Sequence, residues 1–174
     1  MVTRRAPGGA LIPAIALVDR TCLGVKNGFV GRPGNTLDLM GYLDTLGRTH
    51  GGMEECDLLV AQSVLYHAID FAHSLGFAPH HDFPEPLFGP RPEELLDTPY
   101  ARPSRPIYAS GPDDDAIKII RQLRWAVGTA FSFSLGPAGH LLTGEHLALN
   151  DQDDHEDDEG EEGEFDVQVD GDVP

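Results

Sequence analysis

Cys22 is the side chain in this sequence with the greatest intrinsic reactivity in a setting that could raise it. It stands in Asp19-Arg-Thr-Cys-Leu-Gly-Val-Lys26, four residues before a lysine. A cysteine attacks as its thiolate, so catalysis requires a pKa brought down from ~8.5 toward neutrality by a nearby cation or base. Lys26 offers the charge, His80 or His81 offers the base, and Asp82 can orient the imidazole. Cys22, Lys26, His80 and Asp82 are therefore the candidate catalytic set. A cysteine packed in a strand as a small hydrophobe accounts for Cys22 without any catalysis.

The same histidines suit a second chemistry. His80, His81 and Asp82, joined by His73 or Cys56, supply imidazole, carboxylate and thiolate donors of the kind that hold Zn²⁺. No zinc-ligand spacing motif accompanies them, and a backbone-bonded loop histidine after Pro79 is the plainer reading. His67, Asp70 and His73 recur at three-residue spacing, so Asp70 can meet either histidine across one helical turn. Such a group could relay protons, although a solvated helix face explains it equally. Ser110-Gly-Pro-Asp-Asp-Asp opens a helix, where aspartates cap the chain or bind Mg²⁺ or Ca²⁺ through oxygen. The sequence has no P-loop, dinucleotide-binding glycine fingerprint, Gly-x-Ser-x-Gly or His-Glu-x-x-His. No cofactor is expected, and the reading leans away from an enzyme.

The elements that must position these groups read as α+β. Val2–Arg5 and a strand from Ala10 form a hairpin about Ala-Pro-Gly-Gly, with Pro13 marking an edge or a bulge. Asp19–Val30 continues the sheet, broken by Gly24 and Gly28. A first helix, capped by Asn35 or Thr36, carries Leu39, Met40, Leu43 and Leu46 and ends at Gly47. A second runs from about Glu54 to Leu75, with Leu58, Ala61, Leu65, Ala68, Ala72 and Leu75 as its apolar stripe and Gly76 as its stop. The proline-rich stretch that follows allows at most a turn of helix, at Pro92–Leu96. Pro106–Ser110 reads as a short strand. A third helix, capped by Asp113, buries Ile117, Ile120, Leu123 and Val127 before Gly128, and Thr129–Leu135 alternates as a final strand. One α+β domain over residues 1–135, a weakly ordered linker over 136–150 and a disordered tail over 151–174 follow.

Two motifs, Cys22-Leu-Gly-Val-Lys26 and Leu75-Gly-Phe-Ala-Pro-His-His-Asp82, with Tyr108-Ala-Ser-Gly-Pro112 before the last helix, resemble those of a bacterial family of uncharacterised proteins. The resemblance spans roughly Val2–Leu135. It implies a shared fold and carries no activity. Against that family this chain begins late, inside what would be a longer N-terminal region, and adds an acidic tail.

Charge narrows the functional classes. Residues 151–174 hold 13 Asp and Glu and no Lys or Arg, while the other 150 hold 16 acids and 12 bases. The formal net charge of −17 is thus concentrated in the tail, whose few apolar residues cannot offset the entropy of ordering it. Direct contact with nucleic-acid phosphates or an anionic membrane is disfavoured. No membrane span is expected, and prolines interrupt the only N-terminal apolar stretch, so the expected place is the cytoplasm. The leading expectation is an interaction or regulatory protein whose tail contacts a basic protein surface, such as that of a nucleic-acid-binding protein. The alternative is a small enzyme using Cys22 with His80 and Asp82, or a metal-dependent hydrolase built on the same loop.

Overall fold

The computed structural model describes residues 1–32, 34–52, 54–98, 103–136 and 139–147. The acidic tail and the expectation of its disorder lie outside them. The fold is α+β, and the chain divides into two compact units, Met1–Tyr108 and Ala109–Pro174.

The first unit opens with an antiparallel sheet of order β1-β2-β3, from β1 (Val2–Arg5), β2 (Leu11–Asp19) and β3 (Gly24–Val30). Ala6 and Gly9 close the first turn through Gly9 N–H to Ala6 O at 2.9 Å. Pro13 lies in the central strand, neither at an edge nor at the bulge, which falls between Leu17 and Val18. The central position is tolerated because N and C=O of one antiparallel residue face the same neighbour. On that side Pro13 lies just beyond the last β2–β3 pair, Ala14 with Val30, and its carbonyl accepts Gly31 N–H at 2.8 Å. One ladder bond at the sheet's end is all that is lost.

Helix α1 (Thr36–His50) begins with a capping box, Asn35 accepting from Leu37 and Asp38 N–H and Asp38 accepting from Asn35 N–H. It passes through Gly47 and stops at Gly51, whose left-handed conformation (φ +81°) turns the chain while Gly47 O takes the last N–H groups. Glycine inside a helix is only weakly unfavourable, so a positive φ, not residue type, sets the end. Most of α1 is exposed, with Leu37 and Met40 open and Leu39, Leu43 and Leu46 half-buried.

Helix α2 (Leu58–Ser74) is the centre of the unit. Leu65, Tyr66 and Ile69 pack with Val2, Ala14, Val25 and Phe88 in one core. Its end is a Schellman arrangement: Gly76 N–H donates to His73 O and Phe77 N–H to Ala72 O. Gly24 has φ +70° where β3 crosses α2, and a Cβ there would stand 2.7 Å from Ala72 Cβ and 3.2 Å from Ala68 O. Both glycines of the two motifs are therefore required by backbone shape.

The proline-rich stretch holds its helical turn earlier than expected, as α3 (Glu85–Phe88), while 92–96 is irregular. Pro84 and Pro86 fit the first turn because N–H groups there need no intrahelical acceptor. Strand β4 (Ile107–Ala109) follows.

The second unit contains α4 (Ala116–Val127), β5 (Ser132–Ser134) and β6 (Leu142–Thr143), and the second sheet has the order β4-β5-β6. Asp115, not Asp113, caps α4, accepting Lys118 N–H at 3.0 Å. The Gly111-Pro112 turn consumes the preceding residues, and Asp114 accepts Gly111 N–H at 2.7 Å. Leu123, Phe131 and Phe133 are buried, the two phenyl rings 6.0 Å apart. Part of the expected weakly ordered linker is regular: β6 leads into a 3₁₀ turn, Gly144–His146, and Gly144 N–H donates to Phe131 O. Gly144 is needed there, since a Cβ would fall 2.7 Å from the Phe131 ring.

Two glycine substitutions should separate backbone constraint from tolerance. Gly24→Ala is expected to destabilise by about 2–4 kcal/mol, combining left-handed strain with overpacking against Ala72. Gly41→Ala, in the open middle of α1, should stabilise by about 0.5–1 kcal/mol. Urea midpoints of the two variants against the parent check both signs.

Candidate functional site

Cys22 sits in the turn between β2 and β3, not within a strand. The Asp19 carboxylate organises that turn, accepting from Thr21 N–H and Oγ1–H at 2.8 Å, Cys22 N–H at 3.1 Å and Leu23 N–H at 3.2 Å. Thr21 O in turn accepts Ile107 N–H at 3.0 Å. The consequence for the sulfur is complete burial, at 0% exposure. Attack on a dissolved substrate would require this turn to open. Cys56, by contrast, is exposed. It edges an apolar groove of about 560 Å³ between β2 and α2, lined among others by Ala16, Val18, Val64, Leu65 and Phe88.

The loop after α2 is fastened along β3, the strand that carries Lys26. His80 N–H donates to Val25 O at 2.9 Å and Phe83 N–H to His80 O at 3.0 Å. Gly28 lets the loop lie flat, since a Cβ there would meet Pro84 Cδ at 2.5 Å and Asp82 O at 3.0 Å. This anchoring gathers His80, His81 and Asp82. Asp82 Oδ2 lies 3.8 Å from His80 Nδ1 and Oδ1 lies 3.5 Å from His81 Nε2. The imidazole centroids are 4.2 Å apart, and one ligand atom from each residue falls within 4.8 Å of the others. Asp82 N–H donates to His80 Nδ1 at 3.2 Å. Neutral His80 therefore carries its proton on Nε2, and its Nδ1 lone pair points toward Asp82. Among the described residues, neither His73 nor Cys56 joins this cluster.

The polar side of α2 does something the sequence did not suggest. Asp70 meets neither histidine at hydrogen-bond range; it pairs with Arg91, both carboxylate oxygens engaged at 2.7 and 2.6 Å. The guanidinium also lies 5.3 Å from the Tyr66 ring centroid. Its hydrogen bonds hold the Asp70 carboxyl below the usual carboxylate range. With the two side chains 49% and 34% exposed, such a pair contributes only ~0.2–1 kcal/mol. His67 Nε2 is 3.0 Å from Leu96 O, which makes that nitrogen the donor. Gln62 donates to Phe88 O and Pro90 O, Tyr66 donates to Gly89 O, and Ser63 Oγ accepts Leu96 N–H. These are fasteners for the proline-rich chain. Gln62, Ser63 and Tyr66 pair with backbone atoms 23–33 residues away, and Arg91 with a carboxylate 21 residues away, so no local pattern announces the group.

Compared with protein-family models, curated proteins and solved structures, the chain has no match. The motif resemblance thus rests on its own residues, and the geometry gives those residues structural work. Among the described residues no helix is long and apolar enough to cross a membrane.

Thiol titration distinguishes the two cysteines. In the native protein one thiol, Cys56, should react promptly with an aromatic disulfide reagent, the second appearing only with denaturant. A Cys56→Ser variant that still reacts promptly would show that Cys22 is accessible and restore it as a nucleophile.

Proposed function

We propose that the protein is a cytoplasmic interaction or regulatory protein whose acidic C-terminal segment contacts a basic protein surface. The observation that carries this reading is charge segregation: 13 carboxylates and no lysine or arginine within residues 151–174, beside a nearly balanced remainder. A run of like charge raises encounter rates with an oppositely charged surface and makes binding sensitive to salt. Burial of Cys22 supports the same side, because it withdraws the most reactive candidate nucleophile from solvent. Full-length protein should retain basic proteins from a native lysate at low ionic strength and release them at about 0.5 M salt, where the Debye length falls to a few ångströms. A chain ending at Asn150 should retain none of them. Equal retention by both chains would remove the tail from the function.

A second reading has its own observation, the convergence of His80, His81 and Asp82. Two imidazoles and a carboxylate leave one tetrahedral position for water or substrate, the open arrangement of hydrolytic zinc sites. Zn²⁺ would take the His80 Nδ1 lone pair in place of Asp82 N–H. Calorimetric titration with ZnCl₂, in excess Mg²⁺ to occupy the acidic tail, should then give one site that His80→Ala or Asp82→Asn abolishes. Unchanged binding in both variants would place the metal elsewhere.

A further inference from the structure

Helix α4 has two unlike sides. Ile120, Leu123 and Val127 face inward, Leu123 being fully buried. On the other side Ile117, Arg121 and Trp125 succeed one another at four-residue spacing with Lys118 alongside, and all four are exposed. Trp125 is 83% exposed and Ile117 49%, although Ile117 belongs to the apolar stripe that the sequence assigns to the core. Arg124 borders the same stripe, and no acidic residue lies within the helix. An open indole among three cations is a surface suited to a chain that is both anionic and partly apolar. Carboxylates pair with the guanidinium groups, and apolar side chains shed water against the ring.

Such a chain lies in the same unit. Residues 151–174 combine their 13 acids with Phe165, Val167 and Val169, which alternate with Asp166 and Gln168. We propose that this segment docks in cis on the α4 stripe, its carboxylates on Lys118, Arg121 and Arg124 and its Phe165 region on Trp125. Reach is no obstacle. Seventeen residues separate the last described position, Leu147, from Phe165 and can extend roughly 55 Å, against about 18 Å for the whole of α4. Tethering holds the segment near its seat at an effective concentration on the order of millimolar, so weak contacts suffice. Three cations leave most of the carboxylates uncompensated, and an external basic surface would compete for the segment. The docking goes beyond the partner reading and does not depend on it, since it concerns the isolated protein.

Trp125 is the only tryptophan in the chain and reports on its own environment. Full-length protein at low ionic strength should show blue-shifted emission and about twofold less acrylamide quenching than at 0.5 M NaCl, where screening releases the tail. Two full-length variants should behave at low salt as the parent does at high salt. One replaces Asp153, Asp154, Glu156, Asp157, Asp158 and Glu159 by their amides; the other is Lys118→Glu with Arg121→Glu. Far-UV circular dichroism establishes that each is folded, and the tail variant decides alone if the helix variant is not. Emission and quenching that ignore salt and both sets of substitutions would overturn the docking. Protection that grows with protein concentration would overturn it as well, because the occupant would then be a second copy. Neither result bears on capture of a basic partner, which the lysate experiment reads separately.

Discussion

A proline-rich chain cannot satisfy its own backbone, and the first unit is built around that constraint. Proline supplies no N–H, so the carbonyls between α3 and β4 have few local donors and must find them elsewhere. Helix α2 provides several of them. Gln62 and Tyr66 reach Phe88, Gly89 and Pro90, while Ser63 and His67 hold both polar groups of Leu96. From β1, Arg4 adds its Nε–H to Leu87 O at 2.7 Å. Gly89 is left-handed at φ +86°, and a Cβ there would strike Arg4 Nη2 at 2.6 Å and approach Gln62 Nε2 at 3.1 Å. Buried polar groups of α2 that would be costly if unpaired thus become the means of ordering a segment with no ladder of its own.

The position of the histidine loop follows from this arrangement. With α2 fixed against the sheet at Gly24 and its end turned by Gly76, the next residues run beside β3, where Val25 O takes His80 N–H. The placement of His80, His81 and Asp82 follows from a helix stop and a strand edge. The cysteine is governed by a different device. Four hydrogen bonds to one carboxylate shape the turn around Cys22, and the same compactness that makes the turn stable closes the sulfur off. Stability and reactivity make opposed demands at that position, and the structure favours stability.

Electrostatics divides the chain differently from packing. Several carboxylates within the described residues have local tasks: Asp19 in a turn, Asp38 and Asp115 in caps, Asp70 in a bidentate pair. Residues 151–174 concentrate 13 carboxylates with no Lys or Arg among them, a charge density whose reach is set by ionic strength. In the second unit, α4 presents Lys118, Arg121 and Trp125 on its exposed side.

Local chemistry alone determined much of this protein. The α+β class, the hairpin at the start, the Asn35 cap, the Gly76 stop and the acidic segment were all legible, because each depends on residues within a few positions of one another. C-terminal helix limits were legible only where a glycine must adopt a positive φ, which is why Gly47 misled and Gly51 ends α1. Tertiary structure decided what depends on distant partners. Pro13 is tolerable in a central strand because β3 has ended beside it, and Asp70 binds Arg91 because the proline-rich chain returns across α2. Trp125 and Ile117 lie open because α4 turns its other side inward. Amphipathic spacing defines two faces of a helix, and only the rest of the fold selects which of them is covered.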